Sequence, residues 1–393
     1  MSSEKRPLRI LMVLEAAYPA EQGGGAEAQV RTLSRALRAR GQRVTVLCMR
    51  REWGPQERVS TVDRVPVCRL AYPRIPLLAG PFCWLALLFF LYSRRGRYDV
   101  WHVHIAHRLA AVCALVAPWW RARVLTKVSG WWELEKGTLA PDARPVNRVA
   151  GLLLRRTAKW QAISRRIGST LVARGIPESR IAYLPNAVDT ERFAGMRRVP
   201  DAPPRFIFIG RLEAEKGHST LLGAFSDINA AHPLATLLLV GTGSMEDQLK
   251  AEAERLGVAR NVTFAGHRDD IETLLAEANI GLLCSRIEGL SNAMLECMAS
   301  GLPMVASRIS GNEDFVRHGE NGWLFDYGDR AQLAQCLATA ASLAPQQRIA
   351  MGEAALETVR RQSGLDQVLG KLMHLYRGEA HELATAAVSE RSA

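Results

Sequence analysis

Residues 282–316, LLCSRIEGLSNAMLECMASGLPMVASRISGNEDFV, constrain the fold more than any other part of the chain. A short apolar strand is followed by a loop over 285–290 and a helix over 293–298. Ser291 or Asn292 supplies the cap, because a short polar side chain accepts from the orphan amides of a first turn. Gly301 and Pro303 end the helix, and residues 304–307 read as a second strand. Strand, loop, helix and strand make a βαβ unit whose loop lies at the carboxyl edge of a parallel sheet. A helix start there offers N–H groups and the positive end of the helix dipole, which suits a phosphate. Glu288 stands just before that helix and Glu296 about one turn inside it. A carboxylate beside a phosphate is unfavourable unless it binds something else, and sugar or ribose hydroxyls are natural partners.

The run Glu288-Gly289-Leu290-Ser291-Asn292-Ala293-Met294-Leu295-Glu296 resembles the E-x7-E signature of the retaining nucleotide-sugar glycosyltransferases of family 4, group 1. Two glutamates at that spacing are by themselves an ordinary solvated helix face. Embedded in EGLSNAMLECMASGLPMVAS and followed by Ser310-Gly311-Asn312-Glu313, they become specific. The resemblance implies an α/β chain of the GT-B class: two doubly wound Rossmann-like domains with an interdomain cleft.

At 393 residues the chain has room for two domains, each with its own core. A hydrophobic content of 48% with 23% charged residues fits a soluble globular protein. The seven cysteines are scattered singly, with no C-x-x-C pair, which argues against a zinc cluster or disulfide framework and for a reducing, cytoplasmic setting. Cys297 on the site helix reads as a small buried residue rather than a nucleophile. The net charge of +12 is split unevenly: residues 1–200 hold 34 Lys and Arg against 14 Asp and Glu, a balance of +20, and residues 201–393 stand at −8. Such a basic half faces an anionic partner. Nucleic acid is not expected, since no recognition motif or aromatic-basic interleaving accompanies the charge. An anionic membrane surface fits better. Residues 82–92, FCWLALLFFLY, form an uncharged run between Arg74 and Arg94, Arg95 and Arg97, near Trp119-Trp120. Roughly 20 residues are needed to span a bilayer, so this run is a buried or interfacial helix and binding is peripheral. No secretory signal is seen, because Lys5-Arg6 precede only a short first strand.

Taken in order, residues 8–14 are strand one and 15–25 the following loop, whose glycines up to Gly24 and Gly25 allow positive φ and close approach to a ligand. A helix over 28–40 ends at Gly41, before a strand over 44–47. G-x-G-x-x-G is absent, so this is not a dinucleotide fingerprint; by resemblance it is the glycine-rich loop that faces the donor sugar. Asp99-Val100-Trp101-His102-Val103-His104 ends a strand with both histidines on one face, placed for structural or acceptor-side hydrogen bonding. A helix over 110–117 and a strand over 123–128 follow. After that strand the family often has a histidine near the sugar, whereas this chain has Ser129-Gly130-Trp131-Trp132-Glu133, leaving Lys127, Ser129 or Glu133 to fill the space, or a different acceptor recognition. Residues 152–159 read as a basic amphipathic helix. The turn Pro185-Asn186-Ala187-Val188-Asp189 closes the first domain, and the Pro-rich segment 195–204 is a linker. The expected domains are 1–196, on the acceptor side, and 197–393, for the nucleotide sugar. Residues 346–376 read as a helical tail, which by resemblance packs back across the first domain, and the chain beyond Gly378 is expected to fray.

In the second half, Gly210-Arg211-Leu212-Glu213-Ala214-Glu215-Lys216-Gly217 follows a strand over 205–209 and resembles the family segment whose Arg and Lys hold the donor diphosphate. By resemblance His267, after a strand over 262–266, sits at the nucleobase. No D-x-D occurs, so no metal and no separate cofactor is expected; the nucleotide-diphosphate sugar is itself the donor. The resemblance implies that Arg211 and Lys216 balance the diphosphate, helped by helix amides near Leu290, Ser291 and Asn292. Glu296 would accept from the ribose and Glu288 from the sugar ring. The function implied is retaining, metal-independent transfer to a glycan or lipid-linked acceptor in cell-surface polysaccharide or glycolipid biosynthesis. A nucleotide-sugar epimerase or phosphorylase on the same fold, and a non-catalytic membrane-bound sugar-nucleotide-binding subunit, stay open as alternatives.

Overall fold

The computed structural model describes residues 6–19, 24–50, 57–73, 75, 78–196 and 203–379. It divides into two compact units, Met1–Ala187 with Val368–Ala393, and Val188–Gln367. The linker over 197–202, Gly23, Arg74 and the tail beyond residue 379 lie outside the described residues.

The first unit holds β1 (Arg9–Ala17), α1 (Gly25–Ala39), β2 (Arg43–Met49), β3 (Val59–Val62), β4 (Val65–Leu70), α2 (Ala79–Ser93) and β5 (Val100–Val103). There follow α3 (Arg108–Val116), β6 (Arg123–Val128), the one-turn α4 (Trp132–Glu135), α5 (Pro145–Leu154), β7 (Lys159–Ala162), α6 (Arg165–Ala173) and β8 (Ile181–Tyr183). Its sheet runs β3-β4-β2-β1-β5-β6-β7-β8, parallel except for the β3–β4 hairpin. Helix α1 starts three residues earlier than expected, because the Ala28 amide already donates to Gly24 (3.0 Å). Gly24 therefore has an ordinary extended φ of −84° rather than a positive one. The helix expected over 152–159 ends at Leu154, and Lys159 opens β7.

The second unit holds β9 (Arg205–Ile209), α7 (His218–Asn229), β10 (Thr236–Val240), α8 (Glu246–Arg255), β11 (Val262–Gly266), α9 (Ile271–Glu277), β12 (Ile280–Leu283) and α10 (Asn292–Ala299). β13 (Met304–Ser307), the one-turn α11 (Asn312–Phe315), β14 (Gly322–Phe325), α12 (Arg330–Ala341) and α13 (Pro345–Ser363) complete it. α14 (Leu365–Arg377) leaves it for the first unit at Val368. The all-parallel sheet runs β11-β10-β9-β12-β13-β14, packed around Phe206, Phe208, Phe225, Leu239 and Phe325. Parallel strands covered on both faces read as continuous apolar runs, which is why β9 and β13 fall where the sequence puts them.

The division comes at Ala187/Val188, not after residue 196. Val188 donates to Ser363 (2.9 Å) and accepts from Leu365 (3.0 Å), so the chain is already paired with the second unit nine residues earlier than expected. In the first unit, α14 buries Leu369, Leu372 and Tyr376. The Tyr376 hydroxyl lies 2.7 Å from His102 Nδ1, while His102 Nε2 meets Gln161 Oε1 at 3.0 Å. An amide oxygen only accepts, so Nε2 carries the proton and the tyrosine donates to Nδ1. Burial lowers the His102 pKa to about 3, which keeps the ring neutral.

Candidate active site

In the second unit the chain leaves β9 toward β10 and β11, then crosses back to β12 on the other side of β9. The crevice at such a reversal, outside the carboxyl ends of the two strands, is where open parallel sheets bind ligands. The loop after β9 carries Gly210, Arg211 and Lys216, and the loop after β12 carries Glu288 and the start of α10. Both motifs singled out in the sequence thus belong to one switch point.

The loops there are fitted to one another by glycines. Gly217, at φ +73°, lies so close to the Cys284 carbonyl that a Cβ would collide with it, and the Arg286 amide donates to Glu215 O (2.7 Å). Gly311, at φ +66°, is pressed in the same way on the Gly289 carbonyl. Ser307 Oγ donates to Ser285 O (2.6 Å) and Asn312 Nδ2 to Ser307 O (2.9 Å), tying in the loop after β13. Glu213 accepts from the Ser244 amide and hydroxyl (3.1 and 2.7 Å), tying in the loop after β10.

On this frame Lys216 Nζ donates to Glu288 Oε1, and Ser285 Oγ donates to the same oxygen (3.1 Å). Lys216 and Glu288 are both largely withdrawn from solvent. Ser291, not Asn292, is the cap of α10, its hydroxyl accepting from the Met294 amide (3.3 Å). The positive end of α10 thus opens beside the lysine. Arg211 is exposed and turned onto Glu215 (3.1 Å), so it is near the switch point in sequence but not drawn into the Lys216–Glu288 pair. Glu296 is mostly buried one turn along α10, and burial raises its carboxyl to about 7 against the opposing charge of Arg192, with Glu272 pushing it further up. Arg192 is in turn paired with Glu272. His267 follows the edge strand β11, exposed and 3.6 Å from Asp269. Ser285 and Arg192 had no signal of their own in the sequence; their places come from their partners Glu288 and Glu272.

In the first unit, considered by itself, Gly24 and Gly25 stand at the start of α1. Lys127 near the end of β6, and Ser129 and Glu133 after it, the candidates for the place of the expected histidine, are used internally. Glu133 is fully buried and accepts from the Ser129 and Ala106 amides (3.0 and 3.3 Å), while Lys127 Nζ donates to Asn186 Oδ1 (2.7 Å) and Ser129 Oγ to the His104 carbonyl. Burial pushes the Glu133 carboxyl up and the Lys127 ammonium down. Glu15, unremarkable in sequence, caps α3 by accepting from the Leu109 amide and meets His107 Nδ1, each at 2.8 Å. Among the described residues no group of three or more His, Cys, Asp or Glu is placed to hold a metal ion. All seven cysteines are free, and Cys297 is buried.

The family model for glycosyltransferase family 4 matches residues 23–192, and that for group 1 glycosyl transferases matches residues 203–342. The chain is 31% identical over 295 residues to a GDP-mannose-dependent alpha-(1-6)-phosphatidylinositol monomannoside mannosyltransferase of Mycobacterium tuberculosis, covering 69% of this chain and 74% of that one. It is 34% identical over 161 residues to the lipopolysaccharide core biosynthesis glycosyltransferase LpsE of Rhizobium meliloti, covering 40% and 46%. The chain thus spans about half the length of the latter relative. Among solved structures, Anabaena HepE in complex with UDP superposes with a TM-score of 0.73 at 20% identity, covering 96% of this chain and 100% of that one. The two parallel-sheet Rossmann-like units have the fold of the GT-B structures.

Proposed function

We infer the function from one premise: the chain belongs to the group 1, family 4 glycosyltransferases. It moves a sugar from a nucleotide-sugar donor to a glycan or lipid-linked acceptor in polysaccharide or glycolipid biosynthesis, working in the cytoplasm against an anionic membrane surface. The observation that carries this is the meeting of Lys216 and Glu288 at the switch point between β9 and β12, beside the start of α10.

Transfer proceeds by breaking the bond from the sugar C1 to the diphosphate oxygen, whose electron pair stays on the phosphate. Lys216, Arg211 and the positive end of α10 balance that growing charge, which takes the place of a metal in a chain without D-x-D. To do so Lys216 exchanges its present partner for the phosphate, which frees Glu288 to accept from the sugar hydroxyls. Glu296 accepts from the ribose. The acceptor oxygen bonds to C1 on the face the leaving group vacates and loses its proton to the departing phosphate, so the anomeric configuration is retained. His267 completes the donor contacts of the second unit.

The names of similar proteins point to different donors, GDP-mannose for the mycobacterial mannosyltransferase and UDP-glucose for the HepE complex, so both nucleotides belong in the test. Purified protein is incubated with a panel of UDP and GDP sugars and candidate acceptors, with products read by mass spectrometry and the anomer by NMR. A retained product, formed equally in excess EDTA, is expected. An inverted anomer would overturn the assignment to Glu288. An EDTA-dead enzyme restored by magnesium or manganese would place leaving-group stabilisation on a metal instead.

A further inference from the structure

Helix α2 is apolar on every side, yet only one side of it is covered. Cys83, Leu87, Phe90 and Leu91 face inward, while Leu85 (59% exposed), Phe89 (72%) and Tyr92 (55%) face water at i, i+4 and i+7. Trp119, in the turn after α3, is 72% exposed, and its neighbour Trp120 stacks on Tyr92 with ring centroids 6.4 Å apart.

Helix α5 likewise carries apolar side chains on its outer side as well as inward, where Ala150 and Leu154 are buried. The polar Asn147 is buried and accepts from Arg108 (3.2 Å), whereas Val146, Val149 and Leu152 (65% exposed) form an outward stripe. The connections β4→α2→β5, β5→α3→β6 and β6→α5→β7 all step the same way across a parallel sheet. Right-handed crossover therefore sets the three helices on one face, with the buried α3 touching both α2 and α5.

The charge on the three segments that carry these helices has one sign. Residues 79–97, 108–123 and 144–159 contain no Asp or Glu, but carry Arg94, Arg95, Arg97, Arg121, Arg148 and Arg155 among others. Arg94 and Arg95 fold over the Phe90 and Tyr92 rings at 4.1 and 4.5 Å, so the cations sit at the border of the apolar stripe. A water-facing surface does not ordinarily gather this much apolar area. A second copy of the chain would bring the same all-basic rim against itself. An anionic bilayer offers both what the stripes lack and what the arginines lack.

We propose that the outward stripes of α2 and α5, with Trp119 between Arg94–Arg97 and Arg121, are the face by which the first unit docks on an anionic lipid bilayer. Among the described residues no helix is long and apolar enough to cross a membrane, so the side chains insert only to the headgroup boundary. This rests on the membrane reading above and specifies the surface that serves it.

The test is flotation of the full chain with vesicles of phosphatidylcholine alone or mixed with phosphatidylglycerol, at low and high salt. Wild type is expected on the mixed vesicles, more weakly at high salt. Phe89→Ser combined with Leu152→Ser should lower partitioning roughly tenfold or more, as the loss of two inserting side chains implies. Arg94→Gln with Arg95→Gln should weaken binding to the mixed vesicles at low salt and flatten the salt dependence, with no change on phosphatidylcholine alone. Leu234→Ser, at a 73% exposed position of the second unit, should change nothing. Thermal melts confirm that each variant is folded. If wild type floats and Phe89→Ser/Leu152→Ser floats equally, this face is wrong and the membrane reading stands. If wild type floats on neither vesicle, the membrane reading itself falls. Loss of a dimer in Phe89→Ser by light scattering would reassign the face to self-association.

Discussion

Glu296 sits where burial and ligand binding pull in opposite directions. Its carboxyl is raised from 4.5 to about 7 by burial, so the folded protein favours the protonated form. A raised acid contributes no penalty below 4.5, loses stability progressively as pH rises toward 7, and holds the full penalty above that. Glu296→Gln should therefore be more stable than wild type at pH 8, by on the order of 2 kcal/mol, and equal to it at pH 4. Denaturant midpoints at the two pH values check this; a less stable variant at pH 8 sinks it. The same variant should bind the nucleotide sugar more weakly if the carboxylate holds the ribose. Lys216 and Arg211 make a second residue-scale expectation. Either Ala substitution should lower kcat/KM about 100-fold, near 3 kcal/mol of charge stabilisation, measured with the donor found active. Wild-type turnover in the double variant would remove them from the mechanism. Lys216 and Glu288 could be picked out because each lies in a short motif of specific spacing, and the fold brings those two together; Arg211 and Glu296 lie in the same motifs but stand apart from that pair. Glu15 could not be picked out, since its backbone partner is set by tertiary packing; Leu109 is 94 residues away.

At the scale of elements, the strands were legible where two covered faces demand an apolar run, as in β9 and β13. Helix α5 was not, because an inside-outside reading assumes water on the outer face, and here the valines and leucine are the outer face. The glycine-fitted loops were visible as glycines but not as contacts. Gly311→Ala must force apart the loops after β12 and β13, and adds backbone strain at positive φ. It should cost about 2–4 kcal/mol and lower turnover by moving Glu288. Gly319→Ala, at φ +84° but with open space around it, should cost only about 1 kcal/mol and leave turnover unchanged. Equal effects in the two variants, read as melting shifts and initial rates, would mean that loop packing does not position the glutamate.

For the whole molecule, the second unit is one uninterrupted segment, Val188–Gln367, whereas the first needs both ends of the chain. A fragment of residues 188–367 should fold cooperatively and bind a nucleoside diphosphate, as calorimetry and titration would report. A fragment of residues 1–187 lacks Tyr376 and the other buried side chains of α14 and should not; Tyr376→Ala in the full chain is expected to cost about 3–5 kcal/mol. A non-cooperative 188–367 fragment would show that its core is incomplete alone. The two domains were readable from length and motif, and the return of the C-terminal helix to the first unit from the family resemblance; composition and periodicity alone did not carry that return, since no local pattern tells a terminal helix which core it will join.

Because the chain enters the second unit at Val188 and leaves it beside the same residue, paired through Ser363 and Leu365, that unit hangs from the first as a closed loop. Tension applied between Leu8 and Arg377 is borne by the first unit alone while α14 stays docked. The second unit is mechanically slack until Tyr376 is pulled from His102, and only then does it feel any load.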